Sequence, residues 1–190
     1  MLKTILKTSS AAFVAASIGF ASAGAGFAMD ENPMVGGAPM YADKNIVENA
    51  VNSKDHTTLV AAVKAAGLVE TLQGEGPFTV FAPTNAAFED LPEGTVETLL
   101  KPENKDMLTK VLTAHVVAGD IKAADLMKMI EDNGGTYNFT AVSGDALSAQ
   151  INDGNVYIID ENGNAAKVTI ADVNQSNGVI HVVNSVLVPK

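Results

Sequence analysis

The last strand-like run of the chain constrains its possible folds more than any other feature. Residues 178–188 are apolar at nearly every position, so an extended chain carries apolar side chains on both faces. One face holds Val179, Val183 and Leu187, and the other holds Ile180, Val182, Val186 and Val188. A strand that is apolar on both faces has to be covered on both. We therefore expect a central strand in a sheet with structure packed on each side.

Four shorter runs rich in Val, Ile, Thr and Tyr precede this strand, at residues 137–142, 146–152, 155–160 and 166–173. The segments between them are Ser143-Gly144-Asp145, Asp153-Gly154 and Asn162-Gly163, and such dipeptides are typical of hairpin turns. The second half of the chain is therefore predicted to form antiparallel strands.

The first half of the chain has helical periodicity. Leu59, Ala62, Val63 and Ala66 recur at i, i+3, i+4 and i+7, with Asp55 or Thr57 as candidate caps. A second helix is predicted from Pro102, with Leu108, Val111, Leu112 and His115 on one face, and a third short stripe follows at Leu126, Met129 and Ile130. Helices followed by strands, with no repeat or linker, predict one α+β domain over residues 45–190.

The N-terminus has the pattern of a secretory signal peptide. Lys3 and Lys7 precede a short apolar run at 11–21, and small residues follow up to Ala23 and Ala28. We predict a signal peptide over residues 1–28, cleaved after Ala23 or Ala28. The alternative, a transmembrane anchor, is disfavoured by the shortness of the run. Residues 29–44 lack periodicity and are predicted to be a flexible N-terminal segment.

The charge of the chain excludes some classes of partner. The 190 residues contain 22 acidic residues against 12 lysines and no arginine, and the net charge is −10. Loss of the lysines at positions 3 and 7 leaves 10 lysines and a charge of −12. A nucleic-acid ligand would need a basic surface, so it is excluded. Residues 131–172 hold seven acidic residues and one lysine, Lys167, so divalent cations would be needed to bridge them to an anionic surface.

The residue types that usually carry chemistry are sparse. Without cysteine the exported chain has no disulfide, catalytic thiol or zinc–thiolate site. The three histidines do not form an HExxH motif, and no serine lies in a GxSxG motif. The segment 160–165, DENGNA, resembles part of a calcium loop, but a type I′ turn at Asn162-Gly163 explains the same residues. We predict no catalytic residue, no metal site and no cofactor.

The stretch 76–92, GPFTVFAPTNAAFEDLP, changes from strand-like to helix-like at Pro83. Such a junction is a common position for a nucleophile. Here Pro83 restricts the backbone, Asn85 is the expected N-cap of the helix that follows, and Phe88 is expected to pack into the core. Each residue has a structural task, so we interpret the junction as a structural corner.

Three segments together resemble the fasciclin-like domain family. FTVFAPTNAAF at 78–88 is similar to its first signature, NGVIHVVNSVLVP at 177–189 to its second, and LTAHVVAGDI at 112–121 to its tyrosine–histidine segment. The resemblance covers about residues 45–190 and implies an α+β fasciclin-like fold, a single domain with an antiparallel β-wedge flanked by helices. The signature residues carried over are Phe78, Phe81, Pro83, Thr84, Asn85, Phe88, Gly178, His181 and Asn184.

The resemblance also implies a role, with some departures. It implies a secreted, non-enzymatic adhesion or matrix-interaction module, and the middle segment implies binding residues at His115, Val116, Val117, Asp120 and Ile121. The family tyrosine before the histidine is Ala114 here, a frequent proline is Ala118, and a common aspartate is Asn184.

Two kinds of function remain open at this level. The first is a secreted or periplasmic adhesion module, expected to be a monomer, that contacts a cell-surface or matrix protein or a polysaccharide and does not insert into the membrane. The second is a carrier of a small apolar or carbohydrate ligand, which a closed apolar cavity of roughly 300 Å³ or more would favour. For His115 we expect burial and a hydrogen bond to the Thr84-Asn85 corner, whereas a partner-contacting histidine would be exposed.

Overall fold

The computed structural model describes residues 32–190, so the predicted signal peptide and its cleavage sites lie outside the described residues. The described chain begins with a small hairpin of β1 (Met34–Val35) and β2 (Ala38–Pro39). Val35, Ala38 and Met40 are buried in the core, and Gly36 and Gly37 form the turn with positive φ. The prediction of a flexible segment is therefore wrong for residues 32–44, because three of their apolar side chains are buried in the core, although Met34 is exposed.

Helices dominate the first half of the described chain, as predicted. In chain order they are α1 (Ile46–Ala50), α2 (Thr57–Ala66), α3 (Val69–Gln73), α4 (Asn85–Glu89), α5 (Thr95–Leu99), α6 (Lys105–Ala114) and α7 (Ala123–Asp132). Short 3₁₀ turns at Lys54–His56 and Pro102–Asn104 precede α2 and α6. Gly67 ends α2 in the left-handed conformation, with φ +74°, as its position after the apolar stripe predicts.

The remaining strands form one sheet. They are β3 (Phe78–Pro83), β4 (Val116–Ala118), β5 (Thr136–Thr140), β6 (Ala146–Asn152), β7 (Asn155–Ile159), β8 (Ala165–Gln175) and β9 (Gly178–Val183), and their order is β4-β3-β9-β8-β7-β6-β5. The prediction of a central buried strand is confirmed, although β9 ends at Val183 rather than at residue 188. The pair β3–β9 is parallel and the others are antiparallel, because a long crossover rather than a hairpin joins these two strands.

The turns between the strands are partly as predicted. Asp153 and Gly154 have φ of 49° and 73°, as a type I′ turn requires. At Asn162-Gly163 only the glycine has positive φ, so the type I′ prediction is wrong there. The Asp160 carboxylate closes this turn instead, by accepting hydrogen bonds from the N–H groups of Asn162 and Asn164, both at 2.9 Å.

Two apolar cores fill the fold. The first lies among α1–α6 and the sheet, and the second lies between α7 and strands β5–β9. The two edges of the sheet meet at one point, where the N–H of Val142 donates to the carbonyl of Val116 at 2.8 Å. The result is a single α+β domain, as predicted, but its sheet is mixed rather than wholly antiparallel because β3 and β9 are parallel. In residues 32–190 no helix has the length and apolar character needed to cross a membrane.

Candidate functional site

The strand-to-helix corner is held together by hydrogen bonds that cross between helices. Thr84, not the predicted Asn85, is the N-cap of α4, and its hydroxyl accepts from the N–H of Ala87. Asn85 is the first helical residue, and its side chain turns to the start of α2. There its Oδ1 accepts from the N–H of Thr58 at 3.0 Å and its Nδ2 donates to the carbonyl of Lys54 at 2.8 Å. The predicted caps of α2, Asp55 and Thr57, are replaced by this distant asparagine.

His115 is buried at the end of α6, as predicted, with 2% of its surface exposed. Its Nδ1 lies 2.8 Å from the carbonyl of Val111, and its Nε2 accepts from the N–H of Leu187 at 2.8 Å. The predicted hydrogen bond to the Thr84-Asn85 corner is wrong, because the helix end leaves the Val111 carbonyl free one turn away. Burial lowers the pKa of His115 to about 4, so the ring is neutral at pH 7.

His181 has the same arrangement on β9. Its Nε2 donates to the carbonyl of Ile121 at 2.8 Å, and its Nδ1 accepts from the N–H of Asp172 at 3.3 Å. The ring stacks on Phe81, with 5.7 Å between ring centroids. Burial lowers the pKa of His181 as well. The carboxylate of Asp172 in turn accepts the N–H of Ala123 at the start of α7.

His56 is buried too, but one of its ring nitrogens lacks a partner. Its Nδ1 lies 2.9 Å from the hydroxyl of Ser53, whereas Nε2 has no hydrogen-bond partner in the described part of the chain. Burial lowers the pKa of this histidine. The ring borders a cavity of about 70 Å³ between the helices and the sheet, lined by apolar side chains that include Leu59, Val63 and Val80.

Asn177 links three elements and was missed by the sequence reasoning. Its Oδ1 accepts the N–H of Ile46 at 3.1 Å, and its Nδ2 donates to the carbonyls of Leu72 and Gly74. The only available signal was its position before Gly178, which by itself indicates no more than a turn. Asn184 is also engaged, since its Oδ1 accepts the N–H of Lys167 at 2.8 Å.

The predicted binding residues do not form one surface. His115, Val116 and Val117 are buried, so a partner could reach them only if the domain opened. Asp120 is exposed and Ile121 is half-buried. Of the five, Asp120 borders the large open depression described next.

An open groove of about 770 Å³ lies where β3 and β9 begin. Its exposed polar side chains are Gln73, Glu75, Asp120, Lys122, Asn174 and Ser176. Lys122 donates to the Oδ1 of Asn174 at 2.9 Å, which fixes these two side chains against each other. The groove thus offers amide, hydroxyl and carboxylate groups to a polar ligand, and no histidine lines it.

The seven acidic residues between 131 and 172 fall into two groups, three that are buried or half-buried and four that are exposed. Asp160 is buried and Asp172 caps α7, so these two serve the fold, and the buried Asp145 pairs with Lys110 at 3.4 Å. The segment 160–165 resembles part of a calcium loop, but its Asp160 carboxylate oxygens accept backbone hydrogen bonds. One of these comes from the N–H of Val188. Among the described residues no three acidic or histidine side chains are grouped as metal ligands. The exposed acids of the run are Glu131, Asp132, Asp153 and Glu161.

A model of the fasciclin domain matches residues 54–189. The chain belongs to the fasciclin domain family. Among its relatives is protein sll1483 of Synechocystis, 48% identical over 84% of this chain and 82% of that protein. Protein sll1735 of Synechocystis is 43% identical over 75% of this chain and 96% of that protein. The transforming growth factor-beta-induced protein ig-h3 of Sus scrofa is 38% identical, but this chain spans 17% of its length.

The fold has a solved counterpart. A FAS1 domain pair from the insect cell adhesion molecule Fasciclin I superposes with a TM-score of 0.65 at 19% identity, over 76% of this chain and 50% of that one. At this identity the likeness shows the fold alone.

The departures from the family pattern have little structural consequence in this fasciclin domain. Ala114, in the tyrosine position, is 1% exposed and packs in the core. Ala118 is exposed at the end of β4. Asn184 retains the oxygen acceptor that an aspartate would supply to Lys167.

Proposed function

We propose that this chain is an exported, non-enzymatic attachment module of the fasciclin type that binds extracellular polysaccharide through the open groove. One observation carries the proposal. The buried polar side chains of His115, His181 and Asp160 are engaged with backbone groups, whereas six exposed polar side chains line the groove. Gln73, Glu75, Asp120 and Ser176 make no side-chain hydrogen bond within residues 32–190. Amide, hydroxyl and carboxylate groups are the hydrogen-bonding partners that sugar hydroxyls require.

The absence of enzymatic activity is part of the proposal and has its own support. His115 and His181 each use both ring nitrogens on backbone groups, and burial lowers the pKa of both. A general base needs a free nitrogen within hydrogen-bond reach of its substrate. Neither ring satisfies this condition.

The carrier function receives less support. A cavity for a small apolar ligand is expected to reach roughly 300 Å³. The apolar cavity beside His56 measures about 70 Å³. The larger groove is open and polar, which suits a segment of a long polysaccharide better than an enclosed ligand.

The extracellular or periplasmic location rests on the N-terminal sequence. Lys3, Lys7 and the small residues up to Ala28 support a cleaved signal peptide. The exported protein is expected to begin between Gly24 and Asp30, which N-terminal sequencing of secreted material checks. An intact Met1 on soluble extracellular protein would contradict the assignment.

Binding to whole cells and to their isolated polysaccharide tests the function. The double variant Glu75→Gln, Asp120→Asn removes two groove charges without changing side-chain size, and it is expected to reduce retention at least fivefold. The matched control, Asp90→Asn with Glu97→Gln, removes the same charge from the helical side and should bind like the wild type. Equal binding by both double variants would exclude the groove.

A further inference from the structure

Strand β5 has a free edge. It is the last strand of the sheet and pairs only with β6, in a register that places Asn138 opposite Ser148. At the hairpin end the N–H of Ala141 donates to the carbonyl of Asp145 at 3.0 Å, so these residues form a hydrogen-bonded pair. In an antiparallel ladder such pairs alternate with pairs that make no hydrogen bond to each other.

This alternation determines which backbone groups face outward. Tyr137 and Phe139 lie four and two residues before Ala141, and every second residue of a strand points its N–H and C=O groups the same way. The backbone groups of these two residues therefore point to β6. The backbone N–H and C=O groups of Thr136, Asn138 and Thr140 point outward from the edge of the sheet. Within residues 32–190 these groups make no hydrogen bond. Asn138 and Thr140 are exposed. The outward edge is therefore open to another strand.

Features that usually protect an edge strand are missing from β5. Its sequence, TYNFT, contains no charge and no proline, and the irregular pairing of the sheet lies between β8 and β9 instead. The opposite edge, β4, is only three residues long, and its first residue already accepts the N–H of Val142. The unprotected edge is thus confined to Thr136–Thr140.

The sequence of β5 is self-complementary. A two-fold axis through Asn138 would place Asn138 opposite its own copy, Thr136 opposite Thr140, and Tyr137 opposite Phe139. Each outward N–H of one strand then meets an outward C=O of the other. The Tyr137–Phe139 pairs fall at the positions without hydrogen bonds, where side chains approach most closely and aromatic pairs stabilise a sheet.

We propose that β5 is a self-association surface, at which a second copy of this chain adds its own β5 as an antiparallel strand about a two-fold axis at Asn138. A five-residue strand buries less than the roughly 1,000 Å² expected of a stable interface, so the association is weak and is populated only at high local concentration. This self-association is independent of the groove function. At low concentration the chain is the monomer that is expected from the sequence.

Sedimentation velocity over a concentration series tests the association. The exported wild-type chain should show a sedimentation coefficient that rises with concentration. Asn138→Lys places two like charges opposite each other at the axis and should abolish the rise. The matched control Thr98→Lys, on the exposed side of α5, should retain it. A wild type that stays monomeric at millimolar concentration, or an Asn138→Lys protein that still associates, would overturn the proposal.

Single cysteines test the register, since the natural chain has none. Directly opposed residues of a hydrogen-bonded pair lie about 5.5 Å apart between Cα atoms, within reach of a disulfide. Asn138→Cys should therefore form a disulfide-linked dimer under mild oxidation. Thr136→Cys lies opposite Thr140 of the second copy, four residues along that strand from the second cysteine. This variant should therefore form the disulfide at least tenfold more slowly. Equal rates, or no dimer from either, would contradict the two-fold axis at Asn138.

Salt and chelator separate this association from the groove function. Two net-negative chains repel each other, so moderate salt should strengthen the self-association. Chelator should leave it unchanged because no cation takes part. Binding of an unrelated extended peptide by a chain that does not associate would assign the edge to another protein and overturn the proposal.

Discussion

Two half-buried asparagines and the buried His115 bond to the backbone of distant segments. Asn85 completes the start of α2, Asn177 joins α1 to the end of α3, and His115 joins α6 to the C-terminal segment at Leu187. Each side chain thus satisfies backbone groups that a helix end or a loop leaves free. A change at one such residue is expected to weaken two segments at once.

The first prediction at this scale concerns Asn85. Asn85→Ala leaves the N–H of Thr58 and the carbonyl of Lys54 without this partner and should lower the free energy of unfolding by about 1–2 kcal/mol. Urea denaturation measures this as a lower midpoint with an unchanged m-value. Thr84→Ser retains the hydroxyl cap of α4 and should lose much less. Equal losses from the two variants would show that Asn85 has no special role.

His115 predicts a dependence of stability on pH. Its pKa is about 4 in the folded chain, against an ordinary histidine pKa of 6.5 in the unfolded chain, so the unfolded chain takes up the proton more readily. Stability is therefore constant above about pH 7 and falls between pH 6.5 and 4, by about 3 kcal/mol from this residue. The pKa values of His56 and His181 are also lowered, and their contributions have the same sign.

His115→Phe separates this contribution from the rest. The variant leaves the Val111 carbonyl and the Leu187 N–H unpaired and should lose about 1–3 kcal/mol for each at pH 7.5. Because it cannot take up the proton, its unfolding midpoint should fall less steeply between pH 6.5 and 4. A wild type and a variant with parallel pH profiles would contradict the low pKa.

At the scale of elements, the parallel contact of β3 with β9 depends on Gly178. A Cβ at this position would lie 2.0 Å from the carbonyl oxygen of Phe78. That oxygen belongs to the neighbouring strand, so it cannot move without disturbing the ladder. Gly178→Ala should therefore cost more than about 3 kcal/mol or prevent folding.

The matched control for this variant is Gly94→Ala. Gly94 has φ +80° but open space around its Cβ position, so only backbone strain of about 1–2 kcal/mol is expected. Thermal melts compare the two proteins. A Gly178→Ala melt no lower than that of Gly94→Ala would show that the strands can separate at this point.

Periodicity predicted the elements well and their side-chain partners poorly. The central position of β9, the stripe of α2 and the turn at Asp153-Gly154 follow from local patterns and were confirmed. Thr58, a partner of Asn85, and Leu187, one of the two partners of His115, lie 27 and 72 residues away in sequence, so no local pattern could have indicated them. The groove was missed for the same reason, because it joins residues of α3, the β4–α7 connection and the β8–β9 turn.

At the scale of the whole molecule, the net charge controls which extracellular material the chain can approach. The charge of −12 predicted after signal removal repels anionic polysaccharide, and the groove itself carries Glu75 and Asp120. Attachment to a neutral polysaccharide should therefore not need a cation. Attachment to an anionic one should need a divalent cation as a bridge, because only a divalent ion can hold two carboxylates together near the surface.

Retention on immobilised anionic and neutral polysaccharides, with calcium or with chelator, tests this prediction. Chelator is expected to reduce retention on the anionic support at least tenfold and to leave the neutral support unchanged. Thermal melts with and without chelator are the control and should overlay, since no metal ligand group is present in the described part of the fold. Low salt without divalent cations should weaken attachment further, because repulsion then acts over a longer distance. Retention that low salt alone strengthens would mean that a local positive site, and not a bridging cation, holds the anionic polymer.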